Sequence, residues 1–382
     1  MKRVTILVTH LLGTGHLSRA LTLARAVRDG GLHPQVISGG MPTGHLITSG
    51  IDFVQLAAVR SDGTSFTRLL DDSGGPVTPE LMHLRTQAIG DALRNFSPDV
   101  LITELFPFGR RVLSSEFEAA LTATRNIAKT PLVFSSIRDI LAPPSSDRKA
   151  AQTEAWLAQY YNGVLVHSDA SVLPLEASWP VTPALAGLLH YTGYIAAPKP
   201  PGGAAGSDGA DEILVTAGGG PVGRKLFETS ILAARLGGGR HWRLLVGGAD
   251  AAPVCARLNH AAQGAPVWAE PARADYRDLL TRCAAAVGQC GYNTAIDWLQ
   301  AGVPGVFVPF AEAGEVEQTL RAASLQERYG FGLIAEDDLT PENLAAAAEA
   351  AIRHGRFAAN GLKLDGAAQS SRIIAEFLDA PR

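Results

Sequence analysis

Cysteine is nearly missing from this sequence: Cys255, Cys283 and Cys290 are the three in 382 residues. An odd count with no short spacing argues against a disulfide framework or a zinc knuckle, and it suits a reducing compartment. Basic charge is also in short supply. Lys and Arg total 33 against 37 Asp and Glu, a formal net charge of −4. Nothing in that balance points to nucleic acid, which needs a basic surplus to meet its phosphates. No apolar run approaches the roughly 18 residues that span a bilayer. A DxD triplet, low-complexity tracts and short-period repeats are missing as well. What remains is 46% hydrophobic and 18% charged, the composition of a packed globular protein, long for one domain and comfortable for two. The opening MKRVTILVTHLLG is too short in its apolar run for a signal peptide and reads as a buried first strand. The expectation is a soluble, cytoplasmic protein.

Strand-like and helix-like stretches alternate along the chain. VTILVT precedes a helix from about His16 to Asp29, and PQVIS and IDFVQL precede one near Pro79 to Asn95. DVLIT, PLVFSS and GVLVHS follow, with helices near Arg111 to Ile127 and Asp147 to Tyr160 between them. Such alternation predicts right-handed crossovers and a doubly wound parallel sheet covered on both faces. Residues 197–210, APKPPGGAAGSDGA, have almost nothing to bury and read as a linker. The pattern then restarts with EILVTA, a helix from about Arg224 to Leu236, HWRLLVG, PVWAE, a helix near Tyr276 to Arg282, and AAAVG. Helices near Pro341 to His354 and Gly366 to Leu378 close the chain. The division expected is 1–197, a linker at 198–210, 211–365, and a last helix in 366–382. Two such halves leave a cleft, and ligands of open α/β sheets bind outside the strand carboxyl ends.

Four turns carry chemistry. In Gly13-Thr14-Gly15-His16-Leu17-Ser18-Arg19, directly after the first strand, Gly13 and Gly15 permit close backbone approach, and the helix start offers unpaired N–H groups to a donor group. A histidine near a positive helix end stays neutral and can take a proton from a hydroxyl, so His16 is the candidate base. Arg19 either serves the acceptor side or pairs with a surface carboxylate. In Thr216 to Gly223, Gly218, Gly219 and Gly220 make a backbone cradle for a pyrophosphate, with Arg224 or Lys225 at its rim. In the third stretch Gly291 turns the chain, Asn293 and Thr294 open a helix, and Asp297 can accept both hydroxyls of a ribose. Glu317 and Gln318 return to the same edge and suit a donor sugar, although each alone also reads as a solvent-facing residue. The fourth group follows DVLIT and PLVFS: Glu104 and Asp139 either orient His16, bind acceptor or sit in buried arginine pairs, while Phe108, Arg110 and Arg138 line the acceptor side.

The pieces TGHLSRALTLA, TELFPFGRR, SSIRDIL, VLVHSD, HYTGY, TAGGGPVG and GYNTAIDWLQAGVPGVFVPF, in this order, resemble bacterial predicted glycosyltransferases. These are related to glycosyltransferase family 28 and to the GlcNAc transferase that makes the peptidoglycan lipid intermediate. The resemblance covers nearly the whole chain. It implies the GT-B fold: two Rossmann-like domains, acceptor in the first, nucleotide donor in the second, and a last helix crossing back. It matches His16 to the family's glycine-loop histidine and Gly218 to Gly220 to its phosphate loop. Asp297 falls where relatives carry a ribose-binding glutamate. Gln318 matches the second of a Gln-Gln pair that reads the donor sugar, and Glu317 replaces the first, which argues against assuming GlcNAc as the donor.

The activity implied is an inverting, metal-independent transfer from a UDP-sugar to an unidentified acceptor, with no cofactor. Hydrolases of the pseudaminic-acid pathway share the Gly-His-x-x-Arg turn, so a nucleotide-sugar hydrolase is the alternative. Lipid-linked acceptors are common among such enzymes, which leaves peripheral membrane contact open, with Ser65 to Leu70 as a candidate loop.

Overall fold

A computed structural model describes residues 1–44, 46–62, 65–197, 208–217, 223–248, 250–310, 316–358 and 361–381, with the backbone alone at 65–67. Linker residues 198–207 and the expected phosphate loop, Gly218, Gly219 and Gly220, lie outside the described residues. The chain divides into two units, Met1–Ile195 with Lys363–Arg382, and Ala196–Leu362.

In the first unit the strands and helices follow in chain order as β1 (Arg3–Val8), α1 (Gly15–Asp29), β2 (His33–Ser38), β3 (Asp52–Gln55), β4 (Arg60–Asp62) and β5 (Ser65–Leu70). Then come α2 (Pro79–Phe96), β6 (Val100–Glu104), α3 (Ser114–Thr124), β7 (Leu132–Arg138), α4 (Asp147–Tyr160), β8 (Gly163–His167), α5 (Pro183–Ala186) and β9 (Leu189–Tyr191). The main sheet runs β3-β2-β1-β6-β7-β8-β9, and every pairing in it is parallel. Strands β6 and β8 are buried at every residue, as a sheet covered on both faces requires. One face packs α2 through Ile89 and Leu93 and α3 through Phe117 and Leu121. The other packs α1 through Leu17, Leu21 and Leu23.

The second unit continues with β10 (Ile213–Thr216), α6 (Arg224–Leu236), β11 (Trp242–Val246), α7 (Ala251–Ala261), β12 (Val267–Pro271), α8 (Tyr276–Arg282) and β13 (Ala285–Gly288). It is completed by α9 (Tyr292–Ala301), β14 (Gly305–Phe307), α10 (Glu317–Tyr329), β15 (Gly332–Leu333) and α11 (Pro341–His354). Its sheet is β12-β11-β10-β13-β14-β15, again parallel. The ring of Trp298 stacks on Phe307 with centroids 4.4 Å apart, which fastens α9 to β14. Helix α11 starts with the Thr340 hydroxyl accepting the Asn343 N–H and with Pro341 at its first position, where a missing N–H costs nothing.

The last helix, α12 (Gly366–Asp379), belongs to the first unit. The Tyr194 N–H donates to Lys363 O at 2.8 Å and the Gly366 N–H to Tyr194 O at 3.0 Å, which ties the returning chain down. Ile373 and Ile374 then join the apolar cluster under α1. Burying these two side chains contributes roughly 3–6 kcal/mol before chain entropy is counted.

Several elements were not anticipated. Helix α7 carries Pro253 in its first turn and is rich in alanine, so its apolar period is weak. Strands β9 and β15 are 3 and 2 residues long, too short to show a period. Ser65 to Leu70, expected as a loop, is strand β5, paired antiparallel with β4. No helix among the described residues is long and apolar enough to cross a membrane.

Candidate active site

The loop after β1 ends in Gly13, whose φ of +63° is left-handed and favours glycine, and this turn delivers His16 to the first turn of α1. Strand β6 ends at Glu104, one strand away in the sheet. The two side chains meet. His16 Nδ1 donates to Glu104 Oε1 at 3.0 Å, because a carboxylate can only accept. That bond fixes the neutral tautomer and leaves the lone pair on Nε2, in a ring whose side chain is 13% exposed.

The charge around His16 keeps it neutral. Burial lowers its pKa most, and the guanidinium groups of Arg110, Arg19 and Arg138 lower it further against the pull of Glu104. Arg19 is not on the surface, as one sequence reading had it. It is 6% exposed and donates Nη2 to the same Glu104 Oε1. Its 3.2 Å approach to His16 Nδ1 sets two donors on one acceptor. Burial alone would raise the Glu104 carboxyl, but Arg19, the His16 bond and the Ser136 bond outweigh it and hold the group well below its ordinary 4.5. Of the alternatives foreseen for Glu104, the structure has it in contact with both His16 and the buried Arg19.

Behind Glu104 runs a chain of buried polar groups that sequence reasoning did not assemble. The Ser136 hydroxyl donates to Glu104 Oε2 at 2.7 Å, and His167 Nε2 lies 2.9 Å from Ser136 Oγ. With the hydroxyl proton committed to Glu104, His167 donates through Nε2, and its Nδ1 lies 2.9 Å from the Thr192 hydroxyl, which also reaches the Gly193 and Val166 carbonyls. Burial drives the His167 pKa down to about 3, so it carries no charge. The available signal was Ser136 inside the strand LVFSSIR and His167 at the end of GVLVH, both buried polar groups. Such groups need partners there.

The other acceptor-side residues separate. Asp139 is fully buried and accepts the Ile140 N–H at 2.9 Å. Phe108 is 5% exposed and packs edge-on against Trp179, with centroids 5.2 Å apart, so it belongs to the core. Arg110 adopts φ +58° and donates Nε to Thr9 O at 2.8 Å. Burial pushes its pKa down to about 10, helped by Arg138 and opposed by Glu104. Arg110 and Arg138 thus join the His16 group, while Phe108 does not.

In the second unit the first turn of α6 follows Gly223, where φ is +129° and a Cβ would lie 2.1 Å from that of Ala217. Gly223, Arg224 and Lys225 line a cavity of about 350 Å³ together with Gln289, Phe310 and Glu336. Arg224 pairs with Glu228 at 2.9 Å on the surface, and Lys225 donates to Glu336 O. Gly291 caps α9; Asn293 is exposed and Thr294 half-buried in its first turn. Asp297, on the second turn, accepts from Arg277 Nε at 3.0 Å and is 18% exposed. Burial raises its pKa to about 6 against the pull of Arg277. Glu317 is buried rather than solvent-facing and pairs with Arg321 at 2.8 Å. Arg321 also donates to Cys290 O at 2.7 Å, and Gln318 Oε1 accepts the Phe310 N–H at 3.2 Å. The start of α10 is therefore stitched to the turns that follow β13 and β14.

Two doubly wound parallel-sheet units of this order make a GT-B fold. Solved structures of that architecture match the chain throughout: a calicheamicin glycosyltransferase with a TM-score of 0.64 and 15% identity over all of both chains. The MurG of Acinetobacter baumannii matches with a TM-score of 0.64 and 17% identity, over 98% of this chain and 100% of that one. The fold is that of GT-B glycosyltransferases, and segments of the sequence are similar to glycosyltransferases of this kind. The chain is 36% identical over 148 residues to O-mycaminosyltylonolide 6-deoxyallosyltransferase of Streptomyces fradiae, covering 36% of this chain and 31% of that protein. To the UDP-N-acetylglucosamine–N-acetylmuramyl-(pentapeptide) pyrophosphoryl-undecaprenol N-acetylglucosamine transferase of Rhodospirillum centenum it is 31% identical over 91 residues, 24% of either chain. The matches span about a quarter to a third of the length of these curated relatives. No protein-family model matches.

Proposed function

We infer that this chain is a glycosyltransferase that moves a sugar from a UDP-sugar to an acceptor hydroxyl, with inversion and without a metal. The observation that carries the reading is the His16–Glu104 pair: a neutral imidazole, locked by a permanent carboxylate, with its Nε2 lone pair left for a proton. In the reaction proposed, the acceptor oxygen attacks the anomeric carbon as Nε2 takes its proton, and the bond to the diphosphate breaks. Glu104 stays ionised throughout and stabilises the imidazolium, which then loses its proton to solvent. The Gly218 to Gly220 loop, the α6 amides and Arg224 meet the charge that develops on the leaving diphosphate. Asp297 binds the ribose, turning from Arg277 toward its hydroxyls, and Glu317 with Gln318 reads the donor sugar. Both sequence relatives and structural neighbours bear glycosyltransferase names, which supports the class. Cytoplasmic residence, with peripheral membrane contact for a lipid-linked acceptor, belongs to the same proposal.

The test begins with ligand-induced stabilisation, since a ligand of the native state alone raises the melting temperature. A UDP-sugar is expected to raise it, and dTDP-sugars, screened alongside, decide the base. With that donor, His16→Ala is expected to lower kcat about 10²–10⁴-fold with little change in donor affinity. Turnover that survives the substitution overturns the base assignment, and turnover abolished by a chelator overturns metal independence. Free sugar released at an undiminished rate without acceptor would make the chain a hydrolase.

A further inference from the structure

We propose that Arg321 is a positioning residue of the donor site, which sets the first turn of α10, where the sugar is read, against the turn before α9, where the nucleotide is held. This rests on the donor roles given above to Asp297, Glu317 and Gln318. Arg321 lies in the second turn of α10 and is 2% exposed. Its guanidinium spends two different nitrogens on two different parts of the chain. Nη1 donates to Cys290 O at 2.7 Å, and Nη2 donates to Glu317 Oε1 at 2.8 Å. The same group lies 5.8 Å from the ring centroid of Tyr292, the first residue of α9. One planar cation thus touches the chain on both sides of Gly291 and the side chain that opens α10.

The two helices so joined follow different strands. Helix α9 follows β13 and carries Asn293, Thr294 and Asp297, while α10 follows β14 and opens with Glu317 and Gln318. A backbone N–H can only donate, so the Phe310 N–H, 3.2 Å away, assigns Gln318 Oε1 as its acceptor and leaves the NH2 group as what Gln318 presents. Glu317, a carboxylate paired with an arginine, accepts. Together they suit a sugar hydroxyl, which takes a hydrogen bond from one and gives one to the other. That match holds only while both side chains stand at a set distance from the ribose and diphosphate, because a misplacement of about 1 Å can cost about 100-fold. The bridge through Arg321 fixes that distance across two separate turns. Lysine cannot take its place, since a single ammonium nitrogen is a point charge where the guanidinium is a fork.

The test compares two ligands on the full chain by calorimetry. One is the nucleotide sugar that most raises the wild-type melting temperature among UDP-glucose, UDP-galactose, UDP-N-acetylglucosamine and dTDP-glucose. The other is its nucleoside diphosphate alone, which needs only the α9 side. Arg321→Lys keeps the charge beside Glu317 and so keeps most of the stability, but it breaks the bridge. It is expected to weaken the nucleotide sugar about tenfold or more, the loss of one charge-assisted contact, while the diphosphate changes less than about threefold. Arg321→Met is expected to show the same split and a lower melting temperature, because Glu317 then lies buried without its counter-charge. If Arg321→Met does not fold, Arg321→Lys decides. A purely structural role would move both ligands together. Equal losses for the two ligands in Arg321→Lys, or no loss for either, would overturn the role of Arg321 and leave the donor site standing. A wild type that binds none of these ligands would instead remove the donor site, and the role of Arg321 with it.

Discussion

Glu104 in the first unit and Asp297 in the second are both covered carboxylates beside an arginine, and burial pushes both toward the neutral form. They end on opposite sides of the ordinary range. Glu104 receives Arg19, His16 and Ser136 and is held well below its usual value, whereas Asp297 has Arg277 and is raised to about 6. Partner number, not burial, decides the state of a buried acid. The contrast matches the roles proposed. A group that orients a base must stay ionised at every working pH, while a group that exchanges an arginine for ribose hydroxyls is served by a looser hold.

The largest effect should come from breaking the tighter pair. Glu104→Gln keeps the shape but leaves Arg19 buried without its counter-charge, which destabilises by on the order of 3 kcal/mol. It also frees His16 to change tautomer, so kcat should fall about 10²–10⁴-fold, the scale of losing the base. Urea unfolding and turnover on the same preparation check both. An unchanged stability would mean that the first unit does not depend on this pair.

The second prediction uses the opposite pKa directions. Glu104 is depressed, so its stabilising contribution is present above its ordinary 4.5 and is lost as pH falls toward the folded value. Asp297 is raised, so its contribution is present below its ordinary 3.8 and is lost as pH rises through about 6. Asp297→Asn should therefore gain on the wild type as pH rises from 4 to 7, by about 1–3 kcal/mol after allowance for partial exposure. Melting curves across that range measure it. A difference that does not change with pH would place the Asp297 pKa near its ordinary value.

A smaller effect is expected one step behind Glu104. Ser136→Ala removes a donor from Oε2 and leaves His167 Nε2–H without its acceptor, at a cost of about 1–3 kcal/mol. Glu104 keeps Arg19 and His16, so turnover should fall less than in Glu104→Gln. A loss equal to that of Glu104→Gln would make Ser136 the more important support.

These residues also show how far the sequence could be read. The parallel sheets were legible because buried strands such as DVLIT and GVLVHS have apolar centres, VLI and VLV, and alternate with helical periods. Helix α7 was not, since a proline and a row of alanines blur its period. His16 could be picked out because glycines and a helix start fix where it lies, whereas its neutrality comes from burial and from Arg110, Arg19 and Arg138. Its partner could only be narrowed to Glu104 or Asp139, because both end or follow neighbouring strands and strand order alone does not say which side chain turns toward α1. His167 and Thr192 lie 151 and 176 positions beyond His16 in the chain, and their link to it exists only once β6, β7 and β8 stand side by side. The state of Asp297 was hidden for the same reason: Arg277 comes from another helix.

The central claim is that burial and the neighbouring arginines keep His16 neutral while Glu104 fixes its proton on Nδ1. Imidazole nitrogen NMR of the full chain at pH 6.5, in the wild type and in Glu104→Gln, tests it without any substrate. The account predicts a neutral His16 protonated at Nδ1, titrating well below its ordinary 6.5, with the tautomer preference lost in the variant. A His16 that titrates at or above 6.5, or that carries its proton on Nε2 in the wild type, would contradict it.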